Sequence, residues 1–114
     1  YQTWVVLGDM LEMGSFSEAV HQESIRSLEE HNIKNVILYG SMMHGAAEKV
    51  LSKNSVDGEY YLASSHEEIK KILLDQITFP FSRLIVLFKG SRAMKLEEAI
   101  PTEWIEHETW NYSQ

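Results

Sequence analysis

The chain has 114 residues, of which 44% are hydrophobic and 24% are charged, and this composition predicts one globular domain with a buried core. Its net charge of −7 argues against nucleic acid or anionic membranes as partners, because both are bound through Lys and Arg contacts. Without cysteine, a signal peptide or an apolar stretch long enough to span a bilayer, the sequence predicts a soluble, cytoplasmic domain with no disulfides.

Four short segments rich in β-branched and aromatic residues predict strands, at residues 3–7, 35–39, 59–62 and 83–88. The sequences WVVL, VILY and LIVLF are uninterrupted apolar runs, which is typical of central strands covered on both faces of a parallel sheet. Helices are predicted between the strands and after the last one, at residues 17–31, 42–52 and 65–75 and just after Arg92. This alternation predicts an α/β fold with right-handed crossovers.

Two of the predicted helices begin near a serine that is followed three residues later by a glutamate. At this spacing the two side chains can cap each other's backbone amides. Ser15 and Glu18 predict such a capping box for the first helix, and Ser65 and Glu68 predict one for the third.

The first candidate site follows the first strand, since functional residues of parallel α/β domains collect in loops at the carboxyl ends of strands. This strand runs into GDMLEMGSFSEAVH, where Gly8 allows a sharp turn and Asp9 and Glu12 offer carboxylates for chemistry. The alternative is that Gly8 only makes the turn and that both acids are solvated loop residues.

The second candidate site follows the fourth strand, which ends in KGSRAMKLEEA. Lys89 and Arg92 flank Gly90 and Ser91 where a helix is predicted to begin. Backbone amides at a helix start, a cation, a hydroxyl and a guanidinium together suit a carboxylate or phosphate ligand. The alternative is that Ser91 caps the helix and the two cations simply lie on the surface.

The remaining features of the chain do not indicate a metal site or a nucleotide-binding site. His21 and His44 lack a neighbouring acid or second histidine, so we interpret both as surface or packing residues and predict no metal site. The chain contains neither a GxGxxG sequence nor a P-loop, so no nucleotide-phosphate cradle of its own is predicted. Residues 101–114 show no clear period and are interpreted as a tail.

In order and spacing, VVLGDMLEMGSFSEAVH, a strand ending in glycine and then VLFKGSRAMKLEE resemble the C-terminal domain of the MurF family of Mur ligases. The resemblance covers residues 4–100, and Met13 and Ala93 stand where the family usually has leucine and glycine. It implies a Rossmann-like three-layer domain with a mostly parallel sheet. It also implies that residues 1–114 lack the strand and helix that usually open this domain before the equivalent of Tyr1.

The resemblance implies an ATP-dependent ligase of peptidoglycan synthesis that joins D-alanyl-D-alanine to UDP-N-acetylmuramoyl-tripeptide. ATP and Mg²⁺, held mainly by domains outside this chain, would turn the tripeptide carboxylate into an acyl phosphate, and the dipeptide amine would displace phosphate. Closure of this domain over the central ATP-binding domain would position the reactants and exclude water. The fragment alone is therefore predicted to be inactive.

The resemblance also implies roles for the site residues. Lys89, Ser91 and Arg92 are assigned to hold the carboxylate of the incoming dipeptide or the negative charge that develops in the reaction, and Lys89 is thereby a catalytic candidate. Gly90 belongs to the same substrate-binding turn. Asp9 and Glu12 are assigned as catalytic carboxylates facing the amine or the ATP–Mg²⁺ region, which makes Asp9 a cofactor-binding candidate as well.

Three other functions remain open. A sister Mur-type ligase that adds a different amino acid would share the fold, but KGSR and GDM-x-E resemble the D-alanyl-D-alanine branch. A non-enzymatic α/β module could bind a small anion in its strand-end loops. An interaction domain could instead use its acidic helices, or an aromatic tail containing Trp104, Trp110 and Tyr112, to contact a partner or a second copy of the chain.

Overall fold

The structure is a computed structural model that describes residues 2–51, 58–78 and 83–105. Strands and helices alternate along the chain as β1 Gln2–Gly8, α1 Ser17–Glu30, β2 Asn35–Tyr39, α2 Ser41–Leu51, β3 Glu59–Ala63, α3 His66–Gln76, β4 Leu84–Lys89 and α4 Thr102–Ile105. Short 3-10 helices lie at Gly14–Phe16, Arg92–Met94 and Leu96–Ala99. The bounds of all four predicted strands and of the three predicted long helices are correct to within one residue at each end.

The four strands form one parallel sheet in the order β3-β2-β1-β4. From β1 the chain moves outward through β2 to β3, and it then crosses to β4 on the other side of β1. Right-handed crossovers in opposite directions put their helices on opposite faces, so α1 and α2 cover one face and α3 covers the other. The predicted α/β fold with a parallel sheet is confirmed.

Each face of the sheet has its own apolar core. On the first face, α1 and α2 pack on β1 and β2 through Val5, Leu7, Ile25, Val36, Leu38, Met43, Ala46, Ala47 and Val50. On the second face, α3 and the segments after β4 pack on the sheet through Trp4, Val6, Ile37, Ala63, Ile69, Leu73, Ile77, Leu96, Ala99 and Trp104. Because β1 and β2 contribute to both cores, their apolar runs have the double burial that the sequence predicts.

β4 departs from the prediction that its apolar run, LIVLF, is covered on both faces. Val86 and Phe88 pack into the core on the α3 side, but Ile85 is 47% exposed and Leu87 is 53% exposed. These two side chains share the α1/α2 face with Thr3 and Val5 of β1, their partners in the strand register. Within the described residues β4 is an edge strand with one open apolar face, and the prediction of a central strand is wrong there.

One of the two predicted helix caps is present. The Ser65 hydroxyl accepts a hydrogen bond from the Glu68 amide at 3.1 Å, which confirms this half of the predicted capping box at α3. The Glu68 carboxylate accepts from the Ser64 amide at 3.0 Å instead of from the Ser65 amide. The prediction for α1 is wrong: this helix has Phe16 at its N-cap and no side-chain cap, and Ser15 lies in the preceding 3-10 helix Gly14–Phe16.

The segment after β4 is more structured than predicted. Two 3-10 helices replace the single short helix predicted after Arg92, and α4 begins within the predicted tail. Trp104 of α4 is buried in the core, so it does not belong to an exposed aromatic surface. Trp110 and Tyr112 lie outside the described residues. In the part of the chain that the structure describes, no helix has the length and apolar character needed to cross a membrane.

Candidate functional site

The loops after β1 and β4 meet at the carboxyl edge of the sheet. Gly8 and Gly90 lie so close together that a Cβ atom added to Gly90 would be 3.1 Å from the Cα of Gly8 and equally close to the Leu96 side chain. Such a distance is tighter than an ordinary van der Waals contact, so a side chain at position 90 would push the two loops apart. The pairing of β1 with β4 thus brings the two candidate motifs together at one edge of the sheet.

Asp9 is buried at this edge, with only 5% of its surface exposed, and it holds the start of α2. Its Oδ1 accepts a hydrogen bond from the Met43 amide at 2.8 Å, and its Oδ2 accepts one from the Met42 amide at 3.2 Å. A carboxylate at the N-terminus of a helix satisfies amides that lack partners within the helix and interacts favourably with the helix dipole. The interpretation of Asp9 as a solvated loop acid is therefore wrong.

Gly40 makes room for the Asp9 carboxylate. Its backbone has a φ of +113°, and a Cβ atom built on it would lie 2.3 Å from Cγ of Asp9. Both the backbone conformation and the space beside it therefore require glycine. The loop after β2 therefore packs directly against the Asp9 carboxylate of the loop after β1.

Replacement of Asp9 tests its contact with α2. We expect Asp9→Ala to lower the free energy of unfolding by about 2–3 kcal/mol, because two amides lose a charged acceptor in a buried setting. Asp9→Asn should cost less, about 1 kcal/mol, since its side chain keeps one acceptor oxygen. Urea unfolding of the full-length protein, with hydrogen exchange at the Met42 and Met43 amides, measures both effects. Equal stability of the two variants would contradict the assigned contact.

Ser91 ties the loop after β4 to the loop after β1. Its backbone amide donates to the Asp9 carbonyl oxygen at 3.1 Å, and its Oγ accepts from the Leu11 amide at 2.7 Å. The same hydroxyl makes no capping bond to the 3-10 helix Arg92–Met94, so the alternative that Ser91 caps this helix through its side chain is wrong. A hydroxyl that accepts one hydrogen bond still has a proton to donate to a ligand.

Three charged side chains surround this junction without partners in the structure. Lys89 and Arg92 are exposed on either side of Gly90 and Ser91, and Glu12 is exposed in the β1–α1 loop with a φ of 63°. Among residues 2–51, 58–78 and 83–105, none of the three forms an ion pair or a side-chain hydrogen bond. Two unpaired cations in a chain of net charge −7 are available for an anionic ligand.

His21 is almost completely buried and holds the β1–α1 loop from inside. Its Nε2 accepts a hydrogen bond from the Met10 amide at 2.9 Å, and its Nδ1 lies 2.5 Å from the Ser17 carbonyl oxygen. Of the two interpretations made from the sequence, surface or packing, this burial excludes the surface one. No feature of the sequence indicated that the His21 ring would bind the backbone of the β1–α1 loop.

Two further histidines join strand-end segments. The Nε2 of His44 lies 3.1 Å from the Leu38 carbonyl oxygen and 2.9 Å from that of Ala63, so one N–H bridges β2 and β3. The Nε2 of His66 donates to the Met94 carbonyl oxygen at 2.7 Å and so anchors the 3-10 helix that begins at Arg92. His66 was not singled out in the sequence, although its place just after β3 puts it at this edge.

The described residues contain no obvious cluster of metal ligands. No cluster of three or more histidine, aspartate or glutamate side chains in the described ranges has a metal-binding arrangement. Both carboxylate oxygens of Asp9 are engaged by α2. Lys89, Arg92 and the Ser91 hydroxyl offer charged and neutral donors of the kind that bind an anion.

Comparison with known proteins gives a consistent set of relatives. The chain is 37% identical over 97 residues to the UDP-N-acetylmuramoyl-tripeptide–D-alanyl-D-alanine ligase of Bacillus subtilis strain 168, a match that spans 84% of this chain and 20% of that enzyme. Two crystal structures of MurF from Acinetobacter baumannii match the fold with TM-scores of 0.66 and 0.60. They are 25% and 26% identical in sequence and are matched over 84% and 85% of this chain, and over 20% and 21% of theirs. No protein-family model matches the chain.

The parallel sheet, its helices and these matches define the chain as a fragment of a Mur-type ligase. Within that class the fragment is MurF-like, and its fold matches that of MurF structures. The chain spans about one fifth of the length of the relatives that it matches.

Proposed function

We propose that this chain is the C-terminal domain of an ATP-dependent ligase that adds D-alanyl-D-alanine to UDP-N-acetylmuramoyl-tripeptide. The observation that carries the proposal is the exposed pair Lys89 and Arg92, which flank a Gly-Ser turn docked on the β1–α1 loop in a MurF-like fold. The parent protein acts in peptidoglycan synthesis in the cytoplasm and thereby in cell shape and division. The fragment alone has no ligase activity, because it spans only part of such an enzyme.

Lys89 and Arg92 bind the carboxylate of the incoming dipeptide in this proposal. Arg92 offers a planar fork of donors that matches a carboxylate, while Lys89 supplies a compact charge that can also stabilise negative charge developing in the reaction. The Ser91 hydroxyl donates the third hydrogen bond. Charge complementarity favours this assignment, because none of the described acidic side chains neutralises the two cations.

Glu12 and Asp9 have different roles in the same proposal. Glu12 is exposed and unpaired, so its carboxylate can orient the ammonium of the dipeptide or accept its proton. Asp9 is engaged with α2 and acts by holding the loop that carries Glu12. Direct contact of Asp9 with the amine or with ATP–Mg²⁺ stays a prediction, and it requires the carboxylate to leave the start of α2.

ATP supplies the phosphoryl group that activates the tripeptide, and ATP and Mg²⁺ are bound mainly by the remainder of the parent protein. Closure of this domain over the central ATP-binding domain brings the carboxyl edge of the sheet, with Lys89 and Arg92, to the reacting groups. Such closure excludes the water that would hydrolyse an activated carboxylate.

Phosphate release by the full-length protein tests the proposed function. With ATP, Mg²⁺ and UDP-N-acetylmuramoyl-tripeptide present, we expect phosphate release to depend on D-alanyl-D-alanine and to yield the pentapeptide product. Release with a different amino acid would identify a sister ligase. Anion binding without phosphate release would instead identify a non-enzymatic module.

We also propose that residues before Tyr1 in the parent protein add a strand and a helix to this domain. The added strand would pair with the free edge of β4 and connect to β1 by a right-handed crossover. This connection would cross the sheet in the same direction as the connection from β1 to β2. Its helix would then lie on the α1/α2 face, over Ile85 and Leu87. Covering these exposed apolar side chains removes the open face of β4.

Cysteine labelling tests the added helix, because the chain has no cysteine of its own. In the full-length protein we expect Leu87→Cys to react with a thiol reagent at least about tenfold more slowly than Leu62→Cys. Leu62 is the matched control, since it is 52% exposed, against 53% for Leu87, and lies on the same face at the opposite edge of the sheet. Peptide mapping identifies the labelled residue. Equal labelling rates would contradict a covering helix, and protection of Leu87 that disappears when residues 106–114 are deleted would assign the cover to the tail.

A further inference from the structure

Two consecutive amides of the β1–α1 loop are held by side chains from other parts of the fold. The Met10 amide donates to Nε2 of His21 at 2.9 Å, and the Leu11 amide donates to Oγ of Ser91 at 2.7 Å. The next residue, Glu12, has a left-handed backbone with a φ of 63° and is exposed. The two hydrogen bonds therefore fix the backbone at Met10 and Leu11, immediately before the exposed residue Glu12.

The bond to Met10 determines the state of the His21 ring. A backbone amide can only donate, so Nε2 of His21 is the unprotonated acceptor and the ring proton lies on Nδ1. This tautomer fits the second contact, because Nδ1 can then donate to the Ser17 carbonyl oxygen at 2.5 Å. With 1% of its surface exposed, the ring is fixed between α1 and the loop and is screened from water.

We propose that His21, as the neutral Nδ1-protonated tautomer, is a positioning residue that fixes Glu12 beside the KGSR turn for the ligase reaction. This inference rests on the proposed function. His21 is buried, and it acts through the Met10 amide on the loop that Ser91 docks against the end of β4. Small displacements of a group that handles a reacting amine lower the rate of the chemical step more than they weaken ground-state binding.

Two substitutions of His21 test whether its hydrogen bond to the Met10 amide is required, or whether any polar side chain at this position is enough. A glutamine oxygen can reach the position of Nε2 and accept the Met10 amide, whereas asparagine is too short and reaches only the position of Nδ1. In the full-length protein we expect His21→Asn to lower kcat about tenfold or more with a KM for D-alanyl-D-alanine within about twofold, while His21→Gln stays within about threefold of wild type. We also expect His21→Asn to speed hydrogen exchange at the Met10 amide without changing exchange at Val5 and Val6 in β1.

Nitrogen-15 NMR of the imidazole in wild type provides a measurement that does not depend on any variant folding. An unprotonated Nε2 and a protonated Nδ1 support the proposal, and a protonated Nε2 overturns it. Unchanged exchange at the Met10 amide in His21→Asn, or an unchanged kcat despite faster exchange, also overturns it. A wild-type protein without ligase activity would refute the proposed function, whereas the NMR and exchange results would still decide whether His21 anchors the loop.

Discussion

Substitution of Gly40 by alanine is expected to lower the free energy of unfolding by at least about 3 kcal/mol, a larger loss than is expected for Asp9→Ala. Two costs combine at this position. The backbone φ of +113° is unfavourable for a residue with a Cβ atom, and that atom would lie 2.3–2.4 Å from the carboxylate of Asp9. Either the loop after β2 changes conformation or Asp9 moves away from the start of α2. Urea unfolding of the full-length protein measures the loss.

Gly45 provides a matched control in the helix that Asp9 caps. A Cβ atom added to Gly45 meets nothing within 4 Å, and the residue lies inside α2 with an ordinary helical backbone. Gly45→Ala should therefore stabilise the protein by up to about 1 kcal/mol. The two glycines lie five residues apart, so the contrast isolates the local geometry of Gly40.

A double substitution separates the two costs at Gly40. Removal of the carboxylate in Asp9→Ala relieves the overlap, so adding Gly40→Ala to that variant should cost less than adding it to wild type. The remaining cost reports the positive φ alone. Equal costs in both backgrounds would mean that the Asp9 carboxylate does not occupy the space beside Gly40.

The order and bounds of the strands and long helices could be predicted from the sequence, because they depend on local patterns. Apolar runs of strand length alternate with longer amphipathic segments, and this spacing admits a parallel sheet with crossovers on both faces. The sequence also predicted functional residues at the carboxyl ends of the strands, whereas the meeting of the β1 and β4 ends follows from a strand pairing that only the structure shows.

The exposure of β4 could not be predicted, because LIVLF reads the same whether one or both faces are covered. Burial of Ile85 and Leu87 depends on which helices cross over them, and the described helices on that face cover β1 and β2 instead. The cap predicted at Ser15 failed for a related reason. Gly14 adopts a positive φ and starts a 3-10 helix that includes Ser15, so the N-cap of α1 is Phe16, one residue later, and it has no side-chain cap.

The roles of the individual polar residues were the least predictable part of the site. Local sequence cannot tell that Asp9 is buried against Met43, 34 residues away, or that Ser91 accepts from Leu11, 80 residues away. Both contacts exist only because parallel strands bring distant loops to one edge. The unpaired state of Lys89 and Arg92 likewise depends on where the acidic side chains of a net acidic chain fall in space.

Lys89→Ala and Arg92→Ala are each expected to lower kcat/KM for D-alanyl-D-alanine by about a hundredfold in the full-length protein, the largest effect on activity that the proposed site predicts. Each substitution removes a charged donor from the proposed carboxylate site, and one such contact contributes several kcal/mol when water is excluded. The loss should be specific to the dipeptide. The KM values for ATP and for the UDP-linked tripeptide should change by less than about threefold.

Arg92 and Lys89 differ chemically, so we expect their substitutions to change the kinetic constants in different ways. Arg92→Lys keeps the charge but loses the planar fork, so it should recover only part of the activity lost in Arg92→Ala, mainly through a raised KM for the dipeptide. Lys89→Ala should lower kcat as well as raise KM if Lys89 also stabilises negative charge that develops during the reaction. Lys71→Ala is the control, since Lys71 is an exposed lysine on α3 that pairs with Asp75, and its removal should leave kcat/KM unchanged. If both Lys89→Ala and Arg92→Ala retained wild-type kinetics in folded protein, the KGSR turn would serve only to dock the loops after β1 and β4 through Gly90 and Ser91.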